Sequence, residues 1–210
     1  MYISTIVFSA LAVLAYGHME MISPCPRYSP HGINCPKLPP GEQLDYSMSS
    51  PLGNNQELCK HNKPWPTPAA TWTAGQQVSV KFAPGGAPHG GGHCQFSFSY
   101  DGGKKYVVVH EIMGHCFGAD NNQRDISFTL PAGLPGAKQA DFMVTWVNAI
   151  GNREFYCWST NVAINGGSKP FTGKEVTLAN WRTYPIIPEF QGNFDTGVDI
   201  YKNAKTITVG

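Results

Sequence analysis

CQFSFSYDGGKKYVVVH, residues 94–110, is written with a period of two. Cys94, Phe96, Phe98 and Tyr100 alternate with Gln95, Ser97 and Ser99, which puts the apolar set on one face of a strand and the polar set on the other. Asp101-Gly102-Gly103 accepts the backbone of a tight turn, and Tyr106–His110 returns as the partner strand. The same alternation recurs on both sides. Val78, Val80 and Phe82 alternate with Ser79 and Lys81, and Ile126, Phe128 and Leu130 form another set closed by Pro131. Asp141–Val147 (DFMVTWV) is apolar on both faces, the mark of a central strand covered on both sides. Phe155–Ile164 reads as a long strand after the turn Ile150-Gly151-Asn152, and Lys205–Val209 as a last one. No long helical period appears. The chain is expected to be all-β, a β-sandwich of short strands with turns between them.

Upstream, residues 18–75 are rich in Pro, Gly, Asn and Ser and show little periodicity. They are expected to form a long crosslinked loop region with one short helix near Asn55–His61. Charged residues make up only 14% of the 210, beside 23 Gly and 17 Pro, a balance that suits a loop-rich β protein. The net charge of +1 and the absence of a basic run argue against nucleic acid or an anionic membrane as partner. The six cysteines, Cys25, Cys35, Cys59, Cys94, Cys116 and Cys157, include no CxxC pair, so a zinc finger is disfavoured. An even number in an exported chain favours three disulfides, with several connectivities open.

Export is expected from the first 17 residues, MYISTIVFSALAVLAYG. Their apolar stretch, Ile3–Leu14, has the length of a signal core of about 7–15 residues and falls short of the roughly 20 that span a bilayer. Ala15-Tyr16-Gly17 is a small-x-small cleavage pattern. Residues 1–17 are thus read as a signal peptide and 18–210 as a single secreted, extracellular domain. Cleavage after Gly17 makes His18 the first residue. A histidine with a free α-amino group offers one ion both its amine and its ring Nδ1, which an internal histidine cannot do. Cleavage after Ala15 instead would leave Tyr16-Gly17 ahead of His18 and remove that amine.

His89 is the natural partner among the seven histidines. It sits in APGGAPHGGG, residues 83–92, a loop between two expected strands whose glycines leave little steric cover over an imidazole. Two imidazoles and an amine make a set of three nitrogens. Copper(II) takes planar nitrogen ligands and tops the divalent affinity series, whereas zinc prefers a tetrahedron. Glu154 and Tyr156, two apart along a strand, share a face, while Phe155, Cys157 and Ser159 take the other, with Cys157 expected in the core.

His18-Met19-Glu20-Met21 with Pro24, APHGGGHC at 87–94 and GNREFY at 151–156 together resemble the fungal lytic polysaccharide monooxygenases of auxiliary activity family 11. The resemblance spans essentially the whole chain after residue 17. It implies an immunoglobulin/fibronectin-III-like β-sandwich with long disulfide-crosslinked loops, carrying one copper ion in a histidine brace. On that resemblance His18, His89 and Tyr156 are the metal ligands, Tyr156 being axial. Ala87 lies over the opposite axial side, and Glu154 is a carboxylate beside the metal that completes the catalytic set. It further implies oxidative cleavage of an insoluble polysaccharide, chitin first, at C1, by a monomer fed by an external electron donor and O₂ or H₂O₂. Two positions depart from the family pattern. His93 stands where serine is usual, and Cys157 follows the tyrosine directly, with Ser159 where the cysteine is usual. Two other readings share some of these residues: a non-catalytic histidine-brace protein that captures or transports copper, and a carbohydrate-binding module. The pairing of Glu154 with Tyr156 favours the enzyme, since pure binding needs neither.

Overall fold

The computed structural model describes residues 17–210, so all of the expected signal peptide except Gly17 lies outside the described residues. Among these residues the chain forms β1 (Met21–Ser23), β2 (Thr71–Thr73), β3 (Gln77–Phe82), β4 (His93–Ser99), β5 (Val107–Ile112), β6 (Asp125–Thr129), β7 (Ala137–Val147), β8 (Phe155–Asn165), β9 (Phe171–Lys174), α1 (Val198–Lys202) and β10 (Thr206–Val209). A three-stranded sheet, β1-β3-β6, faces a five-stranded sheet, β2-β8-β7-β4-β5, and β9 with β10 makes a separate ribbon. The all-β sandwich expected from the alternation is therefore the architecture found. No helix among the described residues is long and apolar enough to cross a membrane.

The sandwich core follows from the period-two patterns. Val78, Val80, Phe82, Ile126 and Phe128 from the small sheet meet Phe96, Phe98, Phe142, Val144, Trp146, Tyr156 and Trp158 from the large one. Fully burying a Val, Ile or Phe side chain stabilises by about 1.5–3 kcal/mol, so this interface is the main source of cohesion. The large sheet is also covered on its outer face. Met143, Val147, Phe155 and Cys157 pack there against Leu52, Ala179, Trp181, Ile187, Phe190 and Tyr201. The covering layer is the C-terminal run 176–201 together with part of the N-terminal loop region. Consequently β4 is buried along its whole length, polar residues included.

Of three disulfides, Cys59–Cys157 and Cys94–Cys116 tie loops to the large sheet, and Cys25–Cys35 crosslinks the N-terminal loop region within itself. Cys157 lies in the outer cluster, while its neighbours Tyr156 and Trp158 enter the sandwich core. The core expected for Cys157 is thus the outer of two, one on each face of the sheet. The helix expected near Asn55–His61 is absent, and turns take its place. Cys59 and Lys60 have φ of 55° and 66°, left-handed values that stop any right-handed helix. The partner of the first hairpin starts at Val107 rather than Tyr106 and runs on to Ile112.

Candidate metal centre

Strand pairing brings three distant segments to one edge of the sandwich. Met21 pairs with Phe82 and Ser23 with Lys81, antiparallel, and the Ala83 amide donates to the Glu20 carbonyl at 2.8 Å. Antiparallel order sets the residues before Met21 beside those after Phe82. His18 therefore lies against the glycine loop that carries His89. Gly86 permits the contact: a Cβ there would stand 2.6 Å from the His18 carbonyl oxygen and 3.0 Å from Met19 Cα. The third segment is the turn between β7 and β8, residues 148–154. It reaches the loop because His93 pairs with Val147 and Gly92 presses its bare Cα against the Val147 carbonyl. Both the Ala149 and Ile150 amides donate to the carbonyl oxygen of His89, at 3.0 and 2.7 Å.

At this edge the His18 and His89 ring centroids are 5.0 Å apart and inclined by 36°. The Tyr156 ring lies 5.6 Å from that of His18. Nε2 of His89 is buried and has no hydrogen-bond partner. Burial, and then the neighbouring His18, hold the His89 imidazole below its ordinary pKa, so the ring is kept neutral with a lone pair to give. The Tyr156 hydroxyl donates to Glu154 Oε2 at 2.6 Å. Burial and then that carboxylate raise the phenol well above its ordinary value, so it keeps its proton. The floor beneath is Trp146, whose ring lies 4.3 Å from Tyr156 and 6.2 Å from His89, and whose Nε1 donates to the Gly91 carbonyl. Arg153 does not pair with Glu154; it bonds Glu189 at 2.7 Å.

The residues fit a small nitrogen-bound ion. An orphaned, buried, neutral imidazole nitrogen beside a second imidazole is a donor set in search of a metal, and ligand bonds of about 2 Å suit the 5.0 Å ring separation. Among the described residues no group of three or more His, Cys, Asp or Glu side chains is arranged to hold a metal. A third nitrogen ligand for such an ion would come from the main chain, as a terminal amine on His18 would supply. Ala87, half-buried, stands two residues before His89 in the same loop.

The other histidines are engaged elsewhere. His31 Nδ1 bonds the buried Glu20 carboxylate at 2.9 Å, and His61 Nε2 bonds Asp45 at 2.7 Å. His110 stacks on Phe128 and His115 leans on Phe194. His93 is a core residue. Its Nδ1 accepts from the Gly114 amide at 2.9 Å, its Nε2 donates to the Thr196 carbonyl at 2.9 Å, and Phe190 and Tyr201 flank the ring. The departure at this position thus joins β4 to the covering layer. Gly86 and Trp146 were not legible in the sequence as parts of the site, because each acts through a contact between segments far apart in the chain; Asn148 was not, because its bonds are local to a turn whose docking on His89 only the fold brings about. A cavity of about 860 Å³ opens on the loop-covered side, lined by Arg27, Tyr106, Asp141, Thr177 and Trp181 among others, and none of His18, His89, Glu154 and Tyr156 lines it.

Comparison with known proteins gives the arrangement its context. No family model matches the chain. Over 213 residues it is 39% identical to AA11 family lytic polysaccharide monooxygenase A of Aspergillus fumigatus, covering 99% of this chain and 89% of that protein. It is 29% identical over 220 residues to an AA11 family lytic polysaccharide monooxygenase of Aspergillus oryzae, covering 95% of this chain but only 48% of that one. The crystal structure of HiLPMO9B superposes with a TM-score of 0.43 at 15% identity, over 81% of this chain and 86% of the other. By its identity to the first of these relatives, along nearly its whole length, the chain belongs to the AA11 family of lytic polysaccharide monooxygenases.

Proposed function

We propose that this monooxygenase is a secreted, copper-dependent enzyme that oxidises chitin at C1, with His18 and His89 as the brace. The observation that carries the reading is the buried, unpartnered Nε2 of His89 with the His18 ring 5.0 Å away. Copper bound there, reduced by an external electron donor, would supply the oxidation of a sugar C–H by O₂ or H₂O₂, after which the hydroxylated carbon expels the glycosidic oxygen.

The chain's own groups do the rest. His18 gives its ring Nδ1 and, once the chain is cut after Gly17, its amine; His89 gives a ring nitrogen. Tyr156 would close one approach to a bound ion with a ring whose hydroxyl proton is committed to Glu154. That bond occupies Oε2 of Glu154 and leaves Oε1, which would orient the reacting oxygen or, after taking up a proton from solvent, pass it on. His18, His89 and Glu154 are each part-exposed and do not line the cavity, and Ile150, beside the carbonyl clasp on His89, is 60% exposed. An exposed apolar contact on an open site suits a flat, insoluble polymer. The protein is read as a monomer whose partners are the polysaccharide and the electron donor.

The test uses mature, copper-loaded protein with β-chitin, ascorbate and peroxide, followed by mass spectrometry. Aldonic-acid oligosaccharides are expected. Tight copper binding with no oxidised product from any polysaccharide would instead favour a copper-capturing protein. The brace has its own check. His89→Ala, or one extra residue before His18, should abolish tight copper binding by calorimetry, and the wild-type Cu(II) EPR spectrum in either variant rejects the brace.

A further inference from the structure

Asn148 sits at the mouth of the turn between β7 and β8 and is 1% exposed. Its carboxamide is spent entirely inside that turn. Nδ2 donates to the Ile150 carbonyl at 3.0 Å and to the Asn152 carbonyl at 2.7 Å, and Oδ1 accepts the Glu154 amide at 2.9 Å. The turn closed in this way points the Ala149 and Ile150 amides at the carbonyl of His89. That clasp has work to do, because His89 has a φ of 43°, a left-handed backbone that costs energy for a residue with a side chain. Arg153 braces the same turn from outside, donating to the Asn148 and Ala149 carbonyls and to Glu189. One buried carboxamide is therefore bonded at one end to the main chain of Glu154 and, through the turn, to the main chain of His89.

We infer that Asn148 is a positioning residue of the oxidation site, fixing the His89 imidazole and the Glu154 carboxylate relative to each other. The inference rests on the brace reading given above. Neither a ring nitrogen nor a carboxylate oxygen is supplied by Asn148 itself, so its loss leaves the ligands present and misaligned. Asn148→Asp is the sharp probe. It keeps the volume and the acceptor toward Glu154, but replaces two donors by a carboxylate oxygen facing two carbonyls.

In the Asn148→Asp protein, copper should still bind through His18 and His89. Its Cu(II) EPR spectrum should differ from wild type, and in the metal-free protein the His89 ring resonances should move. Oxidation per bound copper should fall by about 10–100-fold, with the KM for polysaccharide unchanged. A residue that served only the fold would lower the melting temperature and leave the spectrum of the copper-bound fraction alone. A wild-type EPR spectrum and rate in Asn148→Asp overturn the inference. Should that variant lose its near-UV circular dichroism, Ile150→Pro decides instead: it deletes one clasp amide at an exposed position, and the same spectral change supports the inference while a wild-type spectrum rejects it. His89→Ala, run in parallel, separates the two levels. Its wild-type spectrum would discard the brace, whereas loss of copper there beside unaltered Asn148→Asp and Ile150→Pro proteins discards only the role of Asn148.

Discussion

At the scale of single residues, the centre depends on one position where nothing is present. Gly86 lies against the His18–Met19 backbone, and a Cβ there would come within 2.6 Å of the His18 carbonyl oxygen. Gly86→Val should therefore displace His18, weakening copper binding by calorimetry at least tenfold, about 1.4 kcal/mol, while the fold persists. Glu154→Gln asks a different question. The amide oxygen still accepts from Tyr156, so copper affinity should change little, but the group proposed to handle protons is gone. Turnover per bound copper should fall by about 100-fold or more, the usual contribution of a positioned acid or base. His18 and His89 were legible because a histidine behind a cleavage pattern and a histidine inside a glycine run are local signals. Gly86 was not, since which of several glycines meets a distant main chain is decided only by the pairing of Met21 with Phe82.

At the scale of elements, the outer face of the large sheet is held by a buried ion pair. Arg27 NH2 meets Asp141 Oδ2 at 3.0 Å, and the Tyr106 hydroxyl donates to the same oxygen at 2.9 Å. The pair stitches the N-terminal loop onto β7. Burial pushes the Asp141 carboxyl up, and Arg27 offsets it. Arg27→Met would leave the carboxylate without its cation, at a cost of about 3–5 kcal/mol in urea unfolding. The Cu(II) EPR spectrum should not change, since Arg27 and Asp141 line the cavity and not the centre. The sequence signalled this second layer only in β7, whose apolar residues on both faces marked a strand covered on both sides, and did not say what covers it. The alternation in β4 located the strand correctly, and its apolar set does enter the sandwich. Its polar set, Gln95, Ser97 and Ser99, was expected on the opposite face and is buried there, Gln95 accepting from the Thr177 amide of the covering run at 2.8 Å. Apart from the short α1, that covering segment has no period of two or of 3.6, because it is an irregular run pinned by Trp181, Ile187 and Phe190. A pattern search sees periodic elements and passes over such a layer. The short β1 and β2 were missed for a related reason: each has three residues, and each is a strand only because a neighbour pairs with it.

At the scale of the whole molecule, stability should depend on pH through its covered histidines. Burial lowers the pKa of both His93 and His110 from the ordinary 6.5. As pH falls below that value the unfolded chain takes up protons that the folded one refuses, so unfolding gains and stability drops until the folded-state values are reached. The melting temperature should be level above pH 6.5 and decline as the solution is acidified; a curve that rises on acidification contradicts this. The antiparallel pairing of β1 with β3 carries a broader consequence. The two imidazoles stand 71 positions apart in the chain (89 − 18) and adjoin only when those strands are zipped. On the proposed brace, the unfolded polypeptide lacks the site, and ion capture and folding would form one linked equilibrium. Free copper at a hundred times its dissociation constant would add about 2.7 kcal/mol to the native state, less whatever the denatured chain binds. A chelator would withdraw that same increment, so the enzyme's thermal lifetime would follow the trace-metal content of its surroundings.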